Sequence, residues 1–287
     1  MHSIALITDS TCDLPSHFIE QYQISVLPYV MIWDGKEYRD RVTIQPEEFY
    51  ARLQSSPTLP TTAQASREEF LALFRQAREA GAEGALVALV NAQFSGSLAS
   101  ARLAADAMDF PVAVHDSRST SMGLGWQVLA AARAREAGGG MQEMVAAAEK
   151  VRERVQVCAC LDTLEYVYRG GRIGDARRLL GALLHARPVI YLNHHTGIVE
   201  AEGMALSRRR SIERMARCFF ERMPPGGRLH VAVMHGMAEG EARQLEARIR
   251  EEFAPQELFV HLTGPILGLN TGPRALALCG YGDDPAQ

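Results

Sequence analysis

The sequence predicts an α/β protein, and three observations predict it. Leu86 to Val90 is an unbroken apolar run of strand length, and a continuous rather than alternating run is what a parallel sheet covered by helices requires. A strand, a polar turn and a helix then recur in the same order three times before residue 140. Finally, 287 residues with 47% hydrophobic and 22% charged content can bury a sizeable core, as two domains or one large one.

The elements follow in order. Ile4–Thr8 is a first strand, and Asp9-Ser10-Thr11-Cys12-Asp13-Leu14-Pro15 turns into a helix over Ser16–Tyr22, with Ser10 or Asp13 placed to cap it. Ile24–Leu27 is a short second strand. Tyr29–Trp33 and Lys36–Arg39 flank Asp34-Gly35, a strong two-residue hairpin signal. Pro46 suits the first turn of a helix ending near Leu53. The loop from Ser55 to Thr62 precedes Ser66, which with Glu69 makes a capping box, and Phe70, Leu73, Phe74 and Ala77 give the next helix its apolar face. Thr61 and Thr62 therefore fall in a loop that enters a helix.

After Leu86–Val90 the chain turns through Asn91–Phe94 to Ser95-Gly96-Ser97 and a small-residue helix. Val112–His115 is a strand ending in Asp116-Ser117-Arg118-Ser119. Helices over Ser121–Ala137 and Met141–Arg154 are separated by Gly138-Gly139-Gly140. The second half starts near Val155, so residues 1–154 read as an N-terminal α/β domain and 155–287 as a C-terminal one. It holds a strand at Gln156–Leu161, a helix at Leu179–Ala186, and a hairpin of Arg187–Leu192 with Thr196–Glu200. Then come a helix at Arg208–Met223, strands at Leu229–His235 and Glu257–Leu262 around the helix Gly240–Phe253, and a glycine-rich connection from Gly264 to Arg274 into a last strand, Ala275–Cys279. Pro285-Ala286-Gln287 is a loose tail.

Chemistry gathers at the strand ends. Ser95-Gly96-Ser97 puts backbone N–H groups and two hydroxyls at a helix N-terminus, an arrangement suited to anions; Ser95 read alone is equally an N-cap. Three strand ends carry hydroxyl-rich loops, DST, SGS and DSRSTS. In an open parallel sheet, ligands bind at the carboxyl ends of strands.

Composition narrows the function. A net charge of −4 argues against nucleic-acid binding. No apolar run approaches the roughly 18 residues of a membrane span, and MHSIALITDS lacks the basic-then-apolar pattern of a signal peptide; a cytoplasmic protein without stable membrane insertion is expected. Cys12, Cys158, Cys160, Cys218 and Cys279 are irregularly spaced and read as buried thiols rather than metal ligands. Neither a P-loop nor a G-x-S-x-G elbow is present, although His115-Asp116 remains available as a partner for Ser95. Arg208-Arg209-Arg210 opens a helix, the unfavourable end for cations, and with Arg214 and Arg217 reads as a solvated face, or else as one that meets a partner or an acyl-phosphate group.

Taken together, ITDSTCDLP, the hairpin with YRD, PTLPTTAQAS, FSGSLASA, HDSRSTSMGLG, LEYVYRGGRI and TGPILGLNTGPRA resemble the DegV family, bacterial fatty-acid-binding proteins that serve as lipid carriers for fatty acid kinase. The resemblance implies two α/β domains, the first with an open, mostly parallel sheet, enclosing an apolar ligand tunnel at their interface. By resemblance, the carboxylate-binding threonine falls on Thr62 and the serine on Ser95; Thr61, Gly96, Ser97 and Asn270 complete the expected ligand-binding set, with no catalytic residue, metal or cofactor. The implied partners are a long-chain fatty acid and a separate ATP-dependent kinase, to which the carboxylate is presented for acyl-phosphate formation. The alternatives are a serine-dependent hydrolase of lipid esters and a carrier of another amphipathic acid. Two hydroxyls with the N–H groups of Gly96 and Ser97 would hold a carboxylate without a buried cation. The family's TSQPS reads Thr62-Ala63-Gln64-Ala65-Ser66 here, its SGT reads SGS, its late histidine is Asn270, and the basic residue usual before the Arg208 helix is Leu206. Asparagine donates a hydrogen bond but is no acid near neutral pH.

Overall fold

The computed structural model describes residues 4–179, 186–224 and 226–283. The first half runs β1 (Ile4–Asp9), α1 (Ser16–Gln21), β2 (Ile24–Leu27), β3 (Val30–Trp33), β4 (Lys36–Arg39), α2 (Pro46–Ser55), β5 (Thr61–Ala63), α3 (Arg67–Glu79), β6 (Gly84–Leu89), α4 (Ser97–Ala105), β7 (Val112–Asp116), α5 (Met122–Glu136) and α6 (Met141–Arg152). The second half runs β8 (Gln156–Cys160), α7 (Glu165–Arg169), β9 (Arg187–Leu192), β10 (Val199–Ala205), α8 (Arg208–Glu221), β11 (Leu229–His235), α9 (Glu239–Phe253), β12 (Glu257–Leu262), α10 (Pro265–Thr271) and β13 (Leu276–Gly282).

Strands β2-β1-β6-β7 form one sheet in which every pairing is parallel. All six residues of β6 are buried, because α3 and α4 cover one face of the sheet and α5 and α6 the other. Strands β10-β9-β8-β13-β11-β12 form the second sheet, antiparallel throughout except for β11 with β12. A small antiparallel sheet, β4-β3-β5, stands beside the first. Its hairpin turns through Asp34 and Gly35 at φ 51° and 76°, the left-handed pair that matches the twist of a two-residue hairpin.

Helix α5 joins the two α/β domains. It packs on β1 and β6 on one side and on β13 on the other, and Trp126 Nε1 donates to the Cys279 carbonyl at 3.0 Å. A helix covered from both sides is apolar nearly all round, which is why it carries buried Met122, Leu124, Trp126, Val128 and Leu129 rather than one stripe.

Several expectations change. Thr61 and Thr62 do not lie in a loop; they form β5, with Thr62 opposite Met31 and Thr61 opposite Ile32. The glycine-rich connection before the last strand contains α10. Ser10–Cys12 is a single 3-10 turn, and neither Ser10 nor Asp13 caps α1, whose N-cap is Pro15. The helix expected over Leu179–Ala186 falls largely on 180–185, outside the described residues, as does the Pro285–Gln287 tail; Gly174–Leu179 ahead of it is a 3-10 helix. Among the described residues no helix is long and apolar enough to cross a membrane.

Candidate functional site

A cavity of about 620 Å3 lies between the two sheets, within the roughly 300–1,000 Å3 usual for small-molecule sites. Its floor comes from strand faces of the second sheet. Alternation along β8 turns Val157 and Ala159 into the cavity and Cys158 and Cys160 away, towards α8. Ile190 and Leu192 of β9, Val199 of β10, Met234 of β11 and Ala277 of β13 complete it. One side of the rim comes from the first half: Thr11 and Ser95 from two of the hydroxyl-rich loops and Thr120 with Ser121 from the third, together with Thr62 and Gln64. The three loops do converge on one cavity, at the carboxyl ends of β1, β6 and β7.

Of the six residues expected to bind ligand, Thr62, Ser95, Gly96 and Asn270 line the cavity and two do not. Thr61 is exposed, because side chains alternate along β5 and Thr62 takes the inward position. Ser97 is fully buried beneath the rim. Its Oγ accepts the Ala65 N–H at 3.1 Å and lies 2.8 Å from Ser95 Oγ. The Ser97 N–H, expected to be free for an anion, donates to Ser95 Oγ at 3.2 Å. The helix cap itself is Gly96, so Ser95 stands one residue ahead of the cap. When Ser97 gives its hydroxyl proton to Ser95, the Ser95 oxygen is filled as an acceptor and its own proton is shared between the Tyr29 oxygen beneath it and the cavity.

Beneath these serines Tyr29 donates its hydroxyl to Asp9 Oδ2 at 3.2 Å. Asp9 also accepts from the Val90 N–H at 2.8 Å and from the Thr11 N–H and hydroxyl at 2.9 and 2.6 Å. Its carboxylate thus ties the end of β1 to the start of the serine loop. Burial raises the Asp9 carboxyl above its ordinary range, and these four bonds oppose the rise. Burial, and then the charge of Asp9, push the Tyr29 phenol well up, so it stays a neutral donor.

The opposite lip is α10 and the Gly170-Gly171-Arg172 turn. Asn270 Nδ2 donates to the Ile266 carbonyl at 3.0 Å, while its Oδ1 is buried with no hydrogen-bond partner. A Cβ on Gly170 would stand 2.0 Å from that oxygen, so glycine is what lets Asn270 approach. Arg172 donates from Nε and Nη2 to the Phe94 carbonyl at 3.1 and 2.9 Å, and from Nη1 to Gly170 at 2.5 Å. A carboxylate was expected to be held without a buried cation; Arg172 does line the wall, but its N–H groups go to these carbonyls and clamp the serine loop to the second half. Asp13, expected as a cap, instead accepts from Arg41 at 3.1 Å, Ser121 at 2.8 Å and the Gly264 N–H at 2.8 Å. That bond anchors the start of α10.

Sequence reading passed over Tyr29, Gln64 and Arg172. Arg172 had a signal, its place in the RGGR turn; Tyr29 had only its position after a short strand. Among the described wall residues Arg172 is the one charged side chain, and none is histidine, lysine, aspartate or glutamate. His115 lies elsewhere, buried with Nε2 2.7 Å from Gln127 Oε1, so it is no base for Ser95. Of the arginine run, Arg208 pairs with Glu241 at 3.0 Å and Arg209 with Glu213 at 2.9 Å. Among the described residues no cluster of three metal-ligating side chains occurs.

The model of a family described as "Uncharacterised protein, DegV family" matches residues 3–282. The chain belongs to the DegV family. DegV domain-containing proteins of Clostridium perfringens and Streptomyces coelicolor are 31% and 32% identical to it, over 95% and 96% of this chain and 96% and 97% of theirs. Among solved structures, a DegV family protein from Thermus thermophilus, described by its fatty acid binding, is 31% identical with a TM-score of 0.90, covering 98% of this chain and all of that one. DegV from Bacillus subtilis, described as a fatty acid binding protein, shares the fold at a TM-score of 0.88 and 24% identity, covering 99% of this chain and 100% of its own.

Proposed function

We propose that this DegV family chain is a carrier that binds a long-chain fatty acid, tail on the β8–β9–β13 floor and carboxylate at the Ser95–Thr62 rim. The observation that carries the reading is the division of the cavity: an apolar floor, a rim of hydroxyls, and no acidic side chain in the described wall. Each buried methylene contributes about 0.8 kcal/mol, so a sixteen-carbon tail supplies on the order of 10 kcal/mol before association costs. A carboxylate buried without partners would cost several kcal/mol. Ser95 and Thr62 offer donors, and the guanidinium of Arg172 adds a favourable field, while its own N–H groups stay on carbonyls. Hydroxyl donors leave the carboxylate unneutralised, which suits a group that a separate ATP-dependent kinase must phosphorylate. In this reading the chain is not itself an enzyme, works in the cytoplasm, and divides into domains at residues 154 and 155, between the last helix of the parallel sheet and β8.

The test is mass spectrometry of ligand extracted from protein purified from bacteria without detergent. Near-stoichiometric long-chain fatty acid is expected. An empty protein with no affinity for such acids overturns the proposal. Acyl phosphate should form only when the loaded protein, ATP and a fatty acid kinase are combined. Ester cleavage that survives purification and is lost in Ser95→Ala would move the chain to the hydrolases.

A further inference from the structure

The thiol face of β8 holds chemistry that the cavity does not use. Cys158 of β8 and Cys218 of α8 are both buried, and their sulfurs lie 3.0 Å apart, within hydrogen-bond contact. They are far apart in the chain but adjacent in space, because α8 packs on β8 from the side opposite the cavity. Arg222, just past the end of α8, donates from Nη1 to Cys218 Sγ at 3.1 Å and to the Cys218 carbonyl at 2.9 Å. Its guanidinium is fixed by Glu202 at 2.9 Å and by stacking 4.1 Å over the Tyr191 ring. Cys160, two residues along the same face, instead neighbours Arg208 at 3.9 Å.

The two sulfurs are therefore not equivalent. Cys218 has a guanidinium donor 3.1 Å from its sulfur. Cys158 has no such donor, and its hydrogen bond to Cys218, followed by burial, raises its own thiol well above the ordinary value. Arg222 thus marks Cys218 as the sulfur with a polar donor at its side, and Cys158 is the thiol held protonated against it. A disulfide needs an S–S separation of about 2 Å, so the pair must close by roughly 1 Å.

We infer that Cys158 and Cys218 form an oxidisable dithiol, which a small hydroperoxide converts to an intramolecular disulfide joining β8 to α8. The Cys218 sulfur attacks one peroxide oxygen, the O–O bond breaks, and the departing oxygen leaves as water with the thiol proton. The resulting sulfenic acid is attacked by the Cys158 sulfur; the S–O bond breaks, and a second water leaves with the Cys158 proton. Two thiols lose two electrons in all, and one hydrogen peroxide becomes two waters. The inference is independent of what occupies the cavity.

Hydrogen peroxide treatment of the reduced native protein, followed by alkylation under denaturing conditions and peptide mapping, tests it. Of the five free thiols, two should disappear, with the intact mass lower by two hydrogens and a Cys158–Cys218 linked peptide present. Cys218→Ala and Cys158→Ala should each abolish that peptide, and Cys160→Ala should leave it. Arg222→Met, which removes the donor beside the Cys218 sulfur, should slow its formation about tenfold. The wild-type map needs no variant, so a variant that fails to fold does not spoil the result. Retention of all five thiols, a linked peptide through Cys160, or a Cys218 oxidised without linkage to Cys158 overturns the inference.

Discussion

The two sheets that enclose the cavity are built differently, and the difference explains how the cavity divides. In the parallel sheet every strand leaves from the same edge, so the loops after β1, β6 and β7 meet there with hydroxyls and helix N-termini. In the mixed sheet the cavity meets strand faces instead, where alternation along β8 and β9 presents apolar residues side by side. Parallel pairing thus makes a polar rim from loops, and antiparallel pairing makes an apolar floor from strands. One amphipathic ligand needs both.

The largest effect should come from obstructing the floor. Ala159→Phe would take the room of several methylenes at about 0.8 kcal/mol each, so affinity for a sixteen-carbon acid should fall on the order of 100-fold, while an eight-carbon acid loses far less. Equal losses for both chain lengths, measured by calorimetric titration, would show that the tail does not lie along β8.

Next comes the rim. A charge-assisted hydrogen bond is worth roughly 1.5–3 kcal/mol, so Ser95→Ala should weaken acid binding about 10- to 100-fold, and Thr62→Val similarly. The double variant should lose less than the sum, since both hydroxyls hold one charge. Binding of the matching fatty alcohol should suffer much less; equal losses would assign the hydroxyls to shaping the cavity and not to holding a head group.

A smaller effect belongs to the far edge of the floor sheet. His230 Nδ1 lies 2.5 Å from Glu257 and Nε2 3.0 Å from Asp283, with the ring stacked on Tyr281 and Trp126 edge-on. Arg133 of α5 grips Glu257 at 2.6 Å. Burial alone would lower the His230 pKa, but the bonds to Glu257 and Asp283 outweigh it and raise the value. A raised histidine contributes stability that is fully present below its ordinary 6.5 and is lost as pH rises through its folded value. Burial raises Glu257, but His230 and Arg133 bring it down to about 2, so its contribution holds above 4.5 and fades as pH falls towards 2. The melting temperature should accordingly drop by on the order of 2 °C between neutral and alkaline pH, and His230→Gln should flatten that drop. An unchanged slope in the variant would locate the pH dependence elsewhere.

The smallest effect sharpens the comparison most cheaply. Thr61→Ala should alter stability by less than about 0.5 kcal/mol and leave acid affinity untouched, because the side chain faces solvent. A loss matching that of Thr62→Val would mean that β5 pairs in the other register.

Much of this was legible beforehand, for reasons that differ from element to element. The run Leu86–Val90 could be read because double-sided burial leaves a continuous apolar signal, and the Asp34-Gly35 turn because only certain residues take left-handed backbone. Strand β5 was not legible: three residues, two of them threonine after a proline, become a strand only because β3 offers an open edge. Helix α10 was hidden for a related reason. Its Gly268 would ordinarily weaken a helix, but a Cβ there would stand 2.6 Å from Tyr50 Oη, so close packing against α2 requires the glycine.

The sequence by itself determined the strand–loop–helix order and the hydroxyl-rich strand ends, since local periodicity and turn chemistry act within a few residues of their cause; the choice of Ser95 and Thr62 as the pair at the rim came from the family resemblance. Only the tertiary structure decided that Thr62 faces inward and Thr61 outward, that Ser97 supports Ser95 from below, and that Arg172 closes on the Phe94 carbonyl 78 residues away in the chain. These depend on strand register and on how two sheets meet across α5, contacts between distant segments whose partners no local pattern names.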